Sequence, residues 1–508
     1  MRNRCIERSC PHLWRTRRGA VLAKVAIVLP VLIGMIGLVV DVGLLFSAHR
    51  QVHNAADAAA LAAAVDLVRG KTADQARETA QTFVRQYNAL GNAEALVAGQ
   101  TFNWPPLSGP YAGHPSYVEV IVTFPVQTLF IQVLGVDRNR VATARAVAGF
   151  EPVAAGEGVM VLDRNARPGL RTSSANASLR VNGRIVVNSE GGGVDETGTV
   201  LPGTGNAATA GSGGIYGTDI QVVGGVNSPT YFMNFVAGDP SPLRCRALPE
   251  PDPLINLPTP TTSNGADPTK RGTVSVTNNG STLSGDEGGL NFRAVGGESL
   301  GNGLYTAEAG QVILYPGIYQ NIAIQGGNVR FMPGIYVLAA TKTNDGFKVT
   351  GGTVVGQGIM IYSTGSNYNS GTGMPDAGDG EQPPPNTDGA VFGGVDISAA
   401  IALTPIDTKA YQYASMYTGA KQISNAYNGM LFYQRRRSNA ITKIVGNSAT
   451  GGLTGTLYGK WGRFDISGQG SYAAQFIVGS MDITGSGTVR ILGGGSALGR
   501  ANRVFLVE

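Results

Sequence analysis

Residues 20–46 read AVLAKVAIVLPVLIGMIGLVVDVGLLF, and this stretch decides how the rest of the chain is organised. From Val25 to Val40, sixteen consecutive residues are apolar, Gly or Pro. With Val21–Ala23 before Lys24 and Val42–Phe46 after Asp41, the run is long enough to span a hydrocarbon core of about 30 Å. Lys24 can extend its amine toward the preceding arginines, and Asp41 falls near the opposite interface. A cleaved signal peptide would need an apolar core of about 7–15 residues followed by a small-residue cleavage site. This run is longer and continues into a helical segment. A buried helix of a soluble protein would leave the flanking arginines unexplained. The reading is a transmembrane helix over 19–46.

Upstream, residues 1–18 form a basic tail with Arg2, Arg4, Arg8, Arg15, Arg17 and Arg18 against one acid, Glu7. That tail carries the whole formal charge of +5, because the other 490 residues hold 33 basic and 33 acidic side chains. A nucleic-acid binder needs its positive charge on a folded surface, so this class is excluded and no nucleic-acid partner is expected. The arginines orient the helix instead: N-terminus in the cytoplasm, residues 47–508 outside. Cys5 and Cys10 lie in the tail and Cys245 stands alone beyond it, which leaves no disulfide framework in the exterior. The histidines are His12, His49, His53 and His114, so the last 394 residues have no histidine for catalysis or for most zinc sites.

Downstream, residues 48–69 read as an alanine-rich helix with Leu61, Val65 and Val68 on one face and Val52 earlier on it. Its alanines permit close approach of a neighbouring helix. A second helix over 72–90 presents Ala76, Ala80, Phe83, Val84 and Tyr87. A Pro/Gly loop (103–115), a strand (Tyr117–Phe124), a helical turn near Pro125–Leu134 and a strand (Arg140–Phe150) complete a small α+β segment over 47–150. His49 and His53 stand four residues apart, a spacing a metal pair could use, but no third ligand is evident. Solvated histidines at the interface are the simpler reading.

Asp41-Val42-Gly43, Ala48-His49-Arg50 and Asn54-Ala55-Ala56-Asp57-Ala58-Ala59-Ala60-Leu61-Ala62 together resemble the TadE/TadG-like Flp pilus-assembly family. The strand and turn PVQTLFIQVLGVD and the strand VATARAVAGF are also similar to that family's membrane-proximal segment. Pilin-like members carry a glutamate five residues after a glycine that follows the basic pair. Lys24 occupies that place after Gly19, so the match is closer to TadG-like anchors than to processed pseudopilins. The resemblance implies a non-catalytic role in Flp (tight adherence) pilus assembly. The implied partners are pilus-assembly or secretion-machinery membrane proteins and the lipid bilayer, with self-association through residues 48–69. The implied location is the inner membrane, single-pass, with the bulk in the periplasm.

Glycine density rises from 7% in the first 150 residues to 17% in the remaining 358. Short β-branched runs recur between Gly/Asn/Ser turns, as in SLRVNGRIVV (178–187) and NIAIQGGNVRFM (321–332). Pro316-Gly317-Ile318-Tyr319 returns as Pro333-Gly334-Ile335-Tyr336, and Asp465-Ile466-Ser467-Gly468 as Asp482-Ile483-Thr484-Gly485, both 17 residues on. A constant period of short strands and turns predicts a mainly-β parallel β-helix or solenoid over 151–508. A β-sandwich is the runner-up. A Pro-rich strap (239–268) and a polar, mobile loop (364–394) interrupt it. Asp252-Pro253-Leu254 and YNGMLFY (427–433) are similar to segments of TadG-like exteriors.

Many β-helices act on acidic polysaccharides, and Asn386-Thr387-Asp388 matches one motif of such hydrolases. The paired aspartates and the Gly-His-Gly that complete it are missing. Arg435-Arg436-Arg437 reads as a solvated turn or a partner-binding patch, and Gly493–Gly499 and Gly459-Lys460 as turn glycines rather than phosphate loops. No catalytic, cofactor-binding or metal-binding residue is assigned. A polysaccharide-active enzyme and a processed surface adhesin stand as alternatives.

Overall fold

A single helix, α1 (Arg18–Val68), runs through both the apolar stretch and the alanine-rich stretch that follows. Its 51 residues make it about 76 Å long at 1.5 Å per residue. Pro30 lies within it. The computed structural model describes residues 18–68, 71–114, 117–131, 137, 139–154, 157–378, 390–446, 452–492 and 500–507. The tail arginines before Arg18, Cys5, Cys10, His12, Asn386-Thr387-Asp388 and Gly493–Gly499 lie outside the described residues. The chain divides into two compact units, Met1–Glu151 with Val504–Glu508, and Pro152–Arg503.

In the first unit, α2 (Ala73–Thr82) starts at a capping box: the Thr72 hydroxyl accepts from the Gln75 amide, and the Gln75 side chain accepts from the Thr72 amide. It passes into one π-helical turn, Phe83–Tyr87. Ala76, Ala80 and Val84 are buried as the periodicity predicts, whereas Tyr87 points to solvent. Three strands follow, β1 (Phe102–Asn103), β2 (Tyr117–Gln127) and β3 (Asn139–Ala154). They pair antiparallel, β1 with β2 and β2 with β3, and the C-terminal strand Arg500–Leu506 joins the sheet beside β3. Sequence reading placed a helical turn after Phe124. Of the turn expected near Pro125–Leu134, residues 125–127 belong to the strand, where Gln127 faces Asn139 across the β2–β3 ladder, and 132–136 lie outside the described residues.

The packing of this unit follows from small side chains on both partners. Ala55, Ala56, Ala59, Ala60, Ala63 and Ala64 of α1 are completely buried. They share one core with Ala142, Ala144, Ala146 and Ala148 of β3 and with Val118, Val120 and Val122 of β2. Alternation along the strands puts these residues on one face, and alanine against alanine lets helix and sheet backbones approach closely. The buried row of α1 is therefore Val52 and the alanines, while Leu61 and Val65 are only partly covered. The alanine face expected to receive partner helices or a second copy is filled by the chain's own sheet and α2.

The second unit corrects the expectation of an open β-helix or solenoid. Gly346–Gly365 pairs with Gly394–Ile397, which pairs with Thr442–Val445, which pairs with Thr454–Ser467, which pairs with Met430–Gln434, which returns to Gly346–Gly365. The sheet thus closes on itself as a five-strand barrel of parallel ladders. Two long strands make the closure, of 20 and 14 residues, because each pairs with different neighbours at its two ends. The expected short strands would not have reached. Phe347, Ile361, Val395, Leu431, Phe432 and Leu457 are among the residues around a residual cavity of only about 10 Å³. The interior is therefore a packed core, too small to hold more than about one water.

Chain order also departs from a simple succession of coils. Gly470–Thr484, near the C-terminus, pairs with Glu157–Val161 and Leu170–Thr172, near the start of the unit. Gly487–Ile491 pairs with Ala177–Val181. The 17-residue repeat Asp465-Ile466-Ser467 and Asp482-Ile483-Thr484 lies in register on adjacent strands. Each repeat turns at a glycine with φ of 81° (Gly468 and Gly485), a conformation that strains other residues. The Pro-Gly-Ile-Tyr repeat is offset, with Gly317 facing Tyr336.

The Pro-rich segment reaches strands far apart in the chain. The Glu250 amide and carbonyl bond the Asn188 side chain. The Tyr458 hydroxyl donates to Asp252 at 2.7 Å, and the Tyr427 hydroxyl to the Pro258 carbonyl at 3.0 Å. Tyr368 donates to the Pro260 carbonyl. Prolines remove amide donors and leave carbonyls. The Tyr427 and Tyr368 hydroxyls, on a 3-10 turn and a loop, donate to two of these carbonyls, which are thus satisfied without strand pairing.

Candidate functional site at the helix–sheet junction

Asp41 is the one acid in the apolar run 25–46, and its side chain is completely buried. Its carboxylate accepts three backbone amides in a row, from Leu129 at 2.8 Å, Phe130 at 2.7 Å and Ile131. Each side answers a need of the other. A carboxylate away from water requires donors, and a chain turn beside an apolar helix has amides with no strand to pair with. Three convergent N–H groups resemble the donor end of a helix, which favours a negative group.

One turn before Asp41, Gly37 makes room for this turn. A Cβ at Gly37 would meet the Phe130 ring at 2.6 Å. Gly34 and Gly43 have nothing comparable nearby. Gly37 and Asp41, four residues apart and so on one helix face, together fix the 128–131 turn against α1. Sequence reading located Asp41 at an interface but did not find its partners. The available signal is an acid in an apolar run with no base within one or two helical turns of it.

On the side of the sheet away from α1, Glu119 organises the 103–115 loop. Its carboxylate receives Arg145, Asn103 at 2.7 Å, Ser108 at 2.9 Å and the Leu107 amide at 3.1 Å. Burial alone would push the Glu119 carboxyl up, but these hydrogen bonds, Arg145 foremost, hold it below the usual carboxylate range. His49 and His53 are exposed, with ring centroids 4.7 Å apart and edge to face. Among the described residues, no group of three or more His, Cys, Asp or Glu side chains is arranged to hold a metal ion.

The second unit keeps its strongest charges inside. Arg435 and Asp376 are both fully buried and paired at 2.8 Å, and Tyr362 also donates to Asp376 at 2.6 Å. Arg436 donates to the Leu254 and Leu257 carbonyls. This corrects the reading of Arg435-Arg436-Arg437 as a solvated turn or partner-binding patch. The partners lie 59 residues upstream and in the Pro-rich segment, out of reach of any local pattern. Lys460, read as a turn residue, is buried beside Asp252 at 3.7 Å. Cys245 is half-buried, and burial with Glu196 and Asp195 nearby pushes its thiol up to about 12, which leaves no reactive thiolate at neutral pH. An open groove of about 590 Å³ is lined by Thr273, Gln320, Tyr368 and Asn369, with Lys270 and Glu287 paired at 3.7 Å. Its charges are spent on each other.

Residues 19–66 match the Tad family model, Flp pilus-assembly TadE/G-like. The match covers the apolar half of α1, Asp41 and nearly all of the alanine face, and ends before the sheet. No curated protein matches the sequence. Among solved structures, the competence-associated pilin ComZ from Thermus thermophilus aligns over 82% of this chain and 87% of its own at 10% identity. The TM-score of 0.21 gives that likeness no weight. Lys24–Leu67 is long and apolar enough to cross a membrane, by length and composition.

Proposed function

We propose that this protein is a non-catalytic, single-pass anchor of the inner membrane that serves Flp-type (tight adherence) pilus assembly. Its N-terminal tail lies in the cytoplasm, and its β domain works in the periplasm as a docking surface for pilus-assembly or secretion-machinery membrane proteins. The single observation that carries this reading is the coincidence of the family match with the Asp41 junction. The motif that resembles the family contains the buried acid and the alanine face that seat the sheet on the helix. The apolar helix supports the anchor, and the arginine-rich tail supports the orientation.

The test is a chromosomal deletion complemented with the full chain. Loss of surface pili and of adherence, restored by the full chain, is expected, and intact pili after deletion would overturn the assembly role. Protease protection in spheroplasts checks the orientation, with the β domain cleaved from outside and the tail protected.

A further inference from the structure

We infer that the turn at 128–131 is a second membrane contact, a short apolar wedge that enters the outer boundary of the bilayer beside α1. The inference rests on α1 being the membrane anchor, and it follows from where the turn is tied. Its amides are bound to Asp41 and its Phe130 ring lies on Gly37, both inside the apolar run. Along the helix axis Gly37 lies about 20 Å from Lys24 and about 29 Å from Arg18. Whichever of these bases marks the cytoplasmic boundary, a hydrocarbon core of about 30 Å puts Phe130 between the outer boundary and about 10 Å below it. That is the depth at which interfacial apolar groups bury.

The surface agrees with this depth. Leu129 is 53% exposed and Phe130 42%, although both are large and apolar, and Val141, paired with Pro125 at the same end of the sheet, is 62% exposed. The apolar helix surface beside them is bare as well, at Leu38, Val40 and Leu44, which flank the Gly37 and Asp41 face. Wedge and helix thus form one continuous apolar surface, and the occupant it fits is lipid. The amides of Leu129, Phe130 and Ile131 are bound inward to Asp41, and the Leu129 and Phe130 side chains are presented outward. Such a wedge would fix the height and rotation of the collar on the membrane, which a lone helix cannot do.

Site-directed spin labelling of the full chain tests this, with Cys5, Cys10 and Cys245 replaced by Ser. Single nitroxides go at Leu129→Cys, Ile33→Cys and Asn92→Cys in phosphatidylethanolamine/phosphatidylglycerol vesicles. Leu129→Cys keeps the backbone amide that Asp41 holds. The expected result is high oxygen access and several-fold lower nickel-chelate access at 129 than at 92, with a depth shallower than at 33. A label at 129 as water-accessible as that at 92, while 33 stays in lipid, overturns the wedge and leaves the anchor standing. Water access at 33 overturns the anchor and the wedge with it. Exclusion of both reagents at 129 with spin–spin broadening assigns the surface to a second copy and also overturns the wedge.

Discussion

The two halves of α1 share one helix and one apolar character, yet they sit in opposite surroundings. From Val25 to Phe46 most side chains are exposed Val, Ile, Leu, Met and Phe. From Val52 to Leu67 the inner face is alanine, covered completely by the sheet and α2. Large apolar side chains suit a solvent that flows around them, because lipid fills any gap. Alanines suit a solid partner, because they bring backbones close and lose little side-chain entropy. The comparison teaches that side-chain size, more than hydrophobicity, marks where the exposed half ends and the packed half begins along this helix. Asp41 stands close to that change.

The largest expected effect comes from removing the joint between the halves. Asp41→Ala leaves three amides without an acceptor, each orphaned amide costing about 1–3 kcal/mol. The first unit should lose about 3 kcal/mol or more, read by urea unfolding in detergent micelles. Amide exchange at Leu129, Phe130 and Ile131 should accelerate in step. Unchanged exchange there would break the claim that Asp41 holds the turn.

Next comes a direct contest between the halves. Ala59→Leu forces extra volume into a face with no space and should cost about 1–3 kcal/mol. Ala26→Leu, the same substitution in the exposed half, should stay within about 0.5 kcal/mol. Thermal unfolding of both variants in the same micelles sharpens or breaks the comparison, and equal costs would break it.

The smallest effect lies on the far side of the sheet, away from α1. The folded Glu119 carboxyl is held below its ordinary value, so its contribution is fully present above the ordinary carboxylate range. That contribution is lost as the pH falls through the ordinary value toward the folded one. Glu119→Gln should flatten this acid limb in unfolding curves between neutral and acidic pH. A limb of unchanged slope would assign the acid sensitivity to other carboxylates.

Much of the first unit was legible in the sequence because its signals are local. The apolar run, the alanine-rich stretch 48–69, the helix beginning at residue 72 and the strand VATARAVAGF all declare themselves within a few residues. The turn that Asp41 binds was not legible, since its amides lie 88 to 90 residues away and amides carry no side-chain signature. In the second unit the 17-residue period gave the in-register Asp465 and Asp482 ladder. The same period suggested open coils in chain order, and there it misled. A repeat records what each strand does, while closure depends on two long strands that pair at both ends. Arg435 shows the same limit: three arginines after a strand look solvated until Asp376 is placed beside them.

The sequence alone determined which segment is long and apolar enough to cross a membrane, that residues 48–69 form an alanine-rich helix open to close packing, and where the chain must turn at Gly468 and Gly485. These are properties of a residue and its near neighbours, set by solvation, side-chain volume and backbone sterics. Only the tertiary structure decided that Asp41 is satisfied by a distant turn and that strands from the two ends of the β domain lie side by side. It also decided that the parallel ladder closes into a barrel. Such choices rest on the global requirement that every buried donor, acceptor and strand edge find a partner, which no local window of sequence can state.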